Sequence, residues 1–188
     1  MAVRPILITG DPVLHAVAQA VPQIDESVRQ LVNDLEETMA AAPGVGLAAP
    51  QVGVSLRVFV YSWVDDDGVV HSGTAINPEL LVTPTELGDL DDDEESEGCL
   101  SIPGERFPLR RSVDAVLTAT DLDGQHYELR VSGWLARIFQ HEFDHLNGIL
   151  YADRLVHPHD KEIAKAVRKR SWGSPGQSWT PGLDHLEG

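Results

Sequence analysis

Apolar residues recur at intervals of three and four at Val28, Leu31, Val32, Leu35 and Met39, which predicts an amphipathic helix over 25–42 with one face turned to a core. Pro43-Gly44 ends it. From Leu56 the spacing shortens to the β-branched and aromatic alternation of Arg57-Val58-Phe59-Val60-Tyr61, followed by the turn Asp65-Asp66-Asp67-Gly68, so strands are expected on either side of that turn. The Asp triplet lacks the spaced ligands and terminal Glu of an EF-hand and reads as a solvated hairpin turn. Further strands are predicted over 79–87, 115–120 and 126–131, the last two joined through Asp121-Leu122-Asp123-Gly124. A second helix is expected from Ser132 as N-cap through Trp134 to Leu146, stopped by Gly148, and a third over 159–170 after Pro158. The fold class predicted is α+β, with mixed and antiparallel strands packed around a central helix. One domain over 1–170 is expected, followed by a flexible Gly, Pro and Ser-rich tail over 171–188.

Composition narrows the function classes. The chain has 188 residues, 42% of them apolar, enough for one sizeable core. No apolar run reaches the length of a membrane span, and the first residues lack a basic region followed by a long apolar stretch. Cys99 is the single cysteine, so no intramolecular disulfide can form, and a cytoplasmic location is expected. A formal net charge of -16 argues against a general nucleic-acid binder, so neither specific DNA binding nor, lacking an apolar span, a membrane role is expected. The charge is uneven: a dense acidic run fills 89–97, while five of the fourteen basic residues lie between Lys161 and Arg170.

The candidate chemistry lies on the second helix. His141-Glu142-Phe143-Asp144-His145 places two imidazoles one turn apart on one face, where both can reach a single ion. Glu142 projects beside them, placed to take a proton from water at the metal. A catalytic site of this type needs a third protein ligand and one open position. His157, His159 and His185 do not fall on the extended His-x-x-Gly-x-x-His spacing, and Cys99, within Glu97-Gly98-Cys99-Leu100-Ser101, is the soft ligand available. A lone cysteine is otherwise read as a small buried apolar residue. In Gly44-Val45-Gly46-Leu47-Ala48-Ala49-Pro50-Gln51, two glycines permit another chain to approach the backbone, and Gln51 offers an amide donor to an oxyanion.

In their order and separation, GVGLAAPQ (44–51), EGCLS (97–101) and QHEFDHLNG (140–148) resemble the three signature motifs of peptide deformylases. Gly10-Asp11-Pro12-Val13-Leu14 and Ile76-Asn77-Pro78 are also similar to that family, and the likeness runs over roughly residues 4–165. The acidic stretch 89–95 and the tail from Ser171 depart from it. The resemblance implies that Cys99, His141 and His145 hold the metal, and that Glu142 acts as general base and then acid. It implies ferrous iron as the native ion, with zinc, nickel or cobalt able to replace it. The oxyanion donors implied are the Gln51 amide and the Leu100 backbone N–H.

By the same resemblance, an N-formylmethionyl peptide on a nascent chain lies extended beside Gly44, Val45 and Gly46. Val45, Trp134, Ile138 and His141 line its methionine pocket, and Arg106 holds substrate carbonyls. The four-residue spacing of Trp134 and Ile138 suits a plain core stripe equally well. The rival enzyme class is a zinc endopeptidase with the same hydrated metal and glutamate base. A non-catalytic module with a structural metal is a second rival, but it would need a fourth protein ligand. The basic helix 159–170 has Lys161, Lys165, Arg168 and Lys169 on one face, which makes ribosomal RNA a candidate contact; a solvated charged face is the alternative.

Overall fold

The computed structural model describes residues 2–85, 87–88, 90–184 and 186; Asp89 and His185 lie outside the described residues. The chain opens with β1 (Ile6–Leu7) and then α1 (Glu26–Ala41), whose N-cap Asp25 accepts from the backbone N–H groups of Ser27 and Val28. It continues through β2 (Gly46–Ala48), β3 (Val58–Val64), β4 (Val70–Val82), β5 (Ser96–Cys99), β6 (Ile102–Pro108), β7 (Asp114–Thr120) and β8 (His126–Ser132). The helices α2 (Gly133–Leu146) and α3 (His159–Lys169) follow, and β9 (Ser178–Trp179) comes last.

Five strands form one antiparallel sheet in the order β2-β3-β4-β7-β8, while β5 pairs with β6 and β1 with β9. An isolated parallel bridge joins Gln19 to Leu56. The apolar stripe of α1 packs Val28, Leu31, Val32, Leu35 and Met39 with Leu47, Val58, Val60 and Ile76. A second cluster joins Leu135, Ile138, Phe139 and Leu146 of α2 to Phe59, Tyr61, Ala75, Leu117 and Ala119. Alternate residues of β3 therefore enter different clusters, as the two-residue period of a strand requires. The α2 helix is thus central, and its register on the sheet fixes where its polar face points. Arg57 holds its C-terminal end, donating to the Leu146 carbonyl and to Asn147 Oδ1 at 3.1 Å each.

Several sequence expectations shift. The strand expected over 79–87 is the end of the longer β4, which stops before Pro84, a residue with no N–H to donate. A bulge interrupts β4 between Ile76 and Glu79; there Asn77 adopts φ 50, and its side chain satisfies both the N–H and the carbonyl of Val21. Ser132 occupies the N-cap of α2, but its side chain makes no capping bond.

Part of the 171–188 segment is tied to the body. Of the segment expected to be mobile, Ser178 and Trp179 pair with β1, and Trp179 is 1% exposed. A large indole buried in the α1 cluster outweighs the loop-forming composition around it. Among the described residues, no helix is long and apolar enough to cross a membrane.

Candidate metal centre

Helix α2 and the β5–β6 hairpin meet at one place. His141 and His145 project from successive turns, and their Nε2 atoms are 3.2 Å apart. Cys99, at the end of β5, brings its Sγ to 3.3 Å from His145 Nε2. The three ligand atoms lie within 4.8 Å of one another. Two imidazole nitrogens and a thiol converging this closely form a donor set that fits a divalent cation with a position to spare.

One of the candidate ligands, His141, is held from behind through a network of buried charges. Glu97, 4% exposed, accepts from His141 Nδ1 at 2.7 Å, which leaves His141 Nε2 to face the cluster. Arg111 donates to both oxygens of Glu97 and to Asp144 at 2.6 Å; Arg137 donates to Glu97 as well, and Arg154 to Asp144. Burial pushes the Glu97 carboxyl up, but His141 and Arg111 more than reverse this and hold it well below the usual carboxylate range. Burial alone would strip His141 of a proton; Cys99 and Glu97 outweigh it and raise that pKa well above the ordinary imidazole value. Burial and the neighbouring His141 hold His145 well below it. A cation among the three ligands would satisfy the demand for positive charge that a proton on His141 otherwise meets.

Four further residues face the same space. Glu142 is 3% exposed, and its Oε2 has no hydrogen-bond partner. Burial is the main reason its carboxyl is pushed up to about 7. Gln51 Oε1 accepts from Ala48 N at 2.9 Å, so the other end of its amide, Nε2, is directed at Cys99 Sγ (3.9 Å) and Ser101 Oγ (3.3 Å). Gly44 and Gly46 lie where side chains would strike Leu100 and Glu142 respectively.

A cavity of about 330 Å³ collects Gly44, Val45, Gly46, Gln51, Cys99, Leu100, Arg106, Trp134, Ile138, His141 and Glu142 on its walls. His145 sits beneath it, 1% exposed. Ile138 lines the cavity and also packs in the α2 core cluster. Arg106 is exposed at the mouth and donates to the Ser96 carbonyl at 2.9 Å.

Sequence reasoning named Glu97 and Asp144 only as parts of motifs and did not single out Arg111 or Arg137. The signal for the first two was an acidic residue inside each metal-ligand motif. Arg111 had none, because its partners stand 14 and 33 residues away.

Taken with the fold, the three converging donor atoms and the buried carboxylate fit a metal-dependent hydrolase. Residues 3–161 match the family model described as Polypeptide deformylase, and the chain belongs to that family. It is 48% identical to a peptide deformylase of Mycobacterium sp. (strain JLS), covering 98% of this chain and 97% of the relative. The crystal structure of a peptide deformylase from Legionella pneumophila superposes with a TM-score of 0.76 at 37% identity, covering 90% of this chain and 96% of that one. A peptide deformylase from Synechococcus elongatus in complex with actinonin gives a TM-score of 0.75 at 36% identity, over 89% and 85%. The chain is therefore a metal-dependent enzyme that removes formyl groups from the N-termini of nascent peptides, and the endopeptidase alternative is not favoured.

Proposed function

We propose that Cys99, His141 and His145 are the protein ligands of the metal and that Glu142 handles the proton of the reaction. The observation carrying this assignment is the convergence of three ligand atoms beside a buried carboxylate oxygen with no protein partner. A divalent ion held there would polarise the formyl carbonyl and bring the pKa of water to about 7. Glu142 takes a proton from the water whose oxygen bonds to the formyl carbon. It then gives that proton to the amine nitrogen as the C–N bond breaks, releasing formate and a free N-terminal methionine. The Gln51 Nε2–H and the Leu100 N–H steady the negative charge that develops on the formyl oxygen.

The peptide is expected to run along the open edge of β2, where main-chain pairing at Gly44, Val45 and Gly46 selects no sequence. Selectivity resides in the cavity lined by Val45, Trp134, Ile138 and His141, which receives the methionine side chain. Arg106 at the mouth holds substrate carbonyls.

Ferrous iron is proposed as the native ion; one thiolate and two imidazoles also accommodate zinc, nickel or cobalt. The proposed setting is the cytoplasm, on chains leaving the ribosome, with the cationic face of α3 as the contact to ribosomal RNA. Lys161, Lys165, Arg168 and Lys169 are exposed there, while Ile163, 4% exposed, anchors the opposite face. The deciding assay compares a formyl-Met tripeptide with its acetylated twin and with an internal-bond substrate, and only the formyl peptide should be turned over efficiently. Efficient cleavage of an internal bond would restore the endopeptidase reading.

A further inference from the structure

The turn that carries the metal-binding segment is held by a residue outside residues 3–161, the part matched to the family. Cys99 and Ile102 are paired across the β5–β6 hairpin, so Leu100 and Ser101 form a two-residue turn between them. The peptide group between two central turn residues can rotate while the strands on either side stay in place, which is how the common turn types differ. Here its two ends are both engaged. The Leu100 carbonyl accepts from Trp179 Nε1 at 2.8 Å, and the Ser101 N–H points at Cys99 Sγ at 3.4 Å.

Rotating that peptide would take the Ser101 N–H off the sulfur and turn the carbonyl towards it. Trp179 opposes the rotation, and it is itself fixed. Its residue pairs with Ile6, its ring is buried, and the neighbouring Gln177 carbonyl accepts from Ile8 N at 2.9 Å. Thr9 N, close by in the same N-terminal segment, donates to the Ser101 carbonyl at 2.9 Å. The N- and C-terminal segments thus grip the turn together.

We propose that Trp179 is a positioning residue for the metal centre: by holding the Leu100 carbonyl it keeps the Ser101 N–H on Cys99 Sγ and so sets the donor strength of the thiolate. The inference rests on Cys99 being a ligand. Hydrogen bonds to a ligand from outside the coordination sphere are worth about 10–100-fold in metal affinity or activity.

The test uses the full chain loaded with cobalt(II), whose thiolate charge-transfer absorption reports on the sulfur directly. Trp179→Phe should move that band to longer wavelength, because a sulfur relieved of its N–H gives up electron density more easily. The more basic sulfur also holds its own proton more tightly, so at neutral pH, where proton and metal compete, cobalt binding should weaken about tenfold in chelator competition. Since Trp179→Phe alters packing too, 3-benzothienylalanine at position 179 alone provides the second variant. It keeps the shape of the indole and removes only the donor, and it should show the same band shift.

A band and affinity equal to the parent's in the benzothienyl variant would overturn the proposal and leave Trp179 a packing residue. Cys99→Ser should abolish the band. A parent protein with no thiolate band would instead overturn the assignment of Cys99 as ligand, and the inference with it.

Discussion

Gly46 lies directly against Glu142: a Cβ at position 46 would stand 2.8 Å from Glu142 Cδ and closer still to its Oε1. The absence of a side chain at position 46 is thus what lets the carboxylate occupy its place beside the proposed metal ligands. Gly46→Ala should leave the fold intact at a cost of about 1–3 kcal/mol, the usual range for overpacking. Deformylation should fall about a hundredfold, since displacements near 1 Å carry that penalty. If the effect runs through Glu142, adding Gly46→Ala to Glu142→Gln should cost little more. Full additivity of the two losses in kcat/KM would refute the coupling.

Glu142→Gln preserves shape but cannot accept a proton. Metal content and melting temperature should stay near the parent's while kcat falls by about 10²–10⁴, the range for a lost general base. Cys99→Ser should act in the opposite order, with metal content dropping first. Near-normal turnover in Glu142→Gln would end the general-base assignment.

Gln51→Ala removes the proposed oxyanion donor, whose effect would fall mainly on charge present in the transition state. A loss of about 10²–10³ in kcat with little change in KM is expected from steady-state kinetics. A raised KM at unchanged kcat would make Gln51 a binding residue.

The pH dependence of stability can be probed at Asp34, which does not line the cavity. Asp34, 4% exposed on α1, accepts from Arg4 Nε at 2.7 Å and from Gln30 Nε2 at 2.6 Å. Burial pushes its carboxyl up, but Arg4 and Gln30 outweigh that and hold it below the usual range. A carboxylate with a depressed folded pKa contributes its full stability above the unfolded value of about 3.9 and loses it as pH falls through the folded one. Asp34→Asn should therefore cost about 1–3 kcal/mol at neutral pH. The gap to the parent should shrink as pH drops below about 3.9. Denaturant unfolding across pH decides the matter, and a gap constant into acid would count against this account.

The α3 strip is tested by reversing Lys165 and Lys169 to Glu. Salt-sensitive cosedimentation with ribosomes should weaken, with no change on a free formyl peptide. Cosedimentation that is absent in the parent, or indifferent to the reversal, would make α3 a surface element only.

What the sequence revealed and what it hid follow one physical rule. The α1 stripe, the hairpin turns and the His141–His145 pair are local patterns, set by the periods of helix and strand, and each could be read within a few residues. The linkage of Cys99 to α2 needed motif order rather than periodicity. Arg111 bridging Glu97 and Asp144 was invisible because its meaning lies in partners brought together only by folding. Trp179 was obscured by its own surroundings, since a Gly, Pro and Ser-rich segment reads as loose until the one large ring in it is seen to be buried.

The three-residue length of β2 bears on how the molecule keeps to itself. As the terminal strand of its sheet it pairs with β3 on one side, and an open strand edge can template pairing with a second copy of the same chain. Here the edge offers too few rungs to hold a folded neighbour, and Pro43 and Pro50, which have no N–H to donate, stand on either side of it. The single extended peptide proposed to pair there needs no more than these few rungs, whereas a second folded copy would need a longer edge than β2 offers.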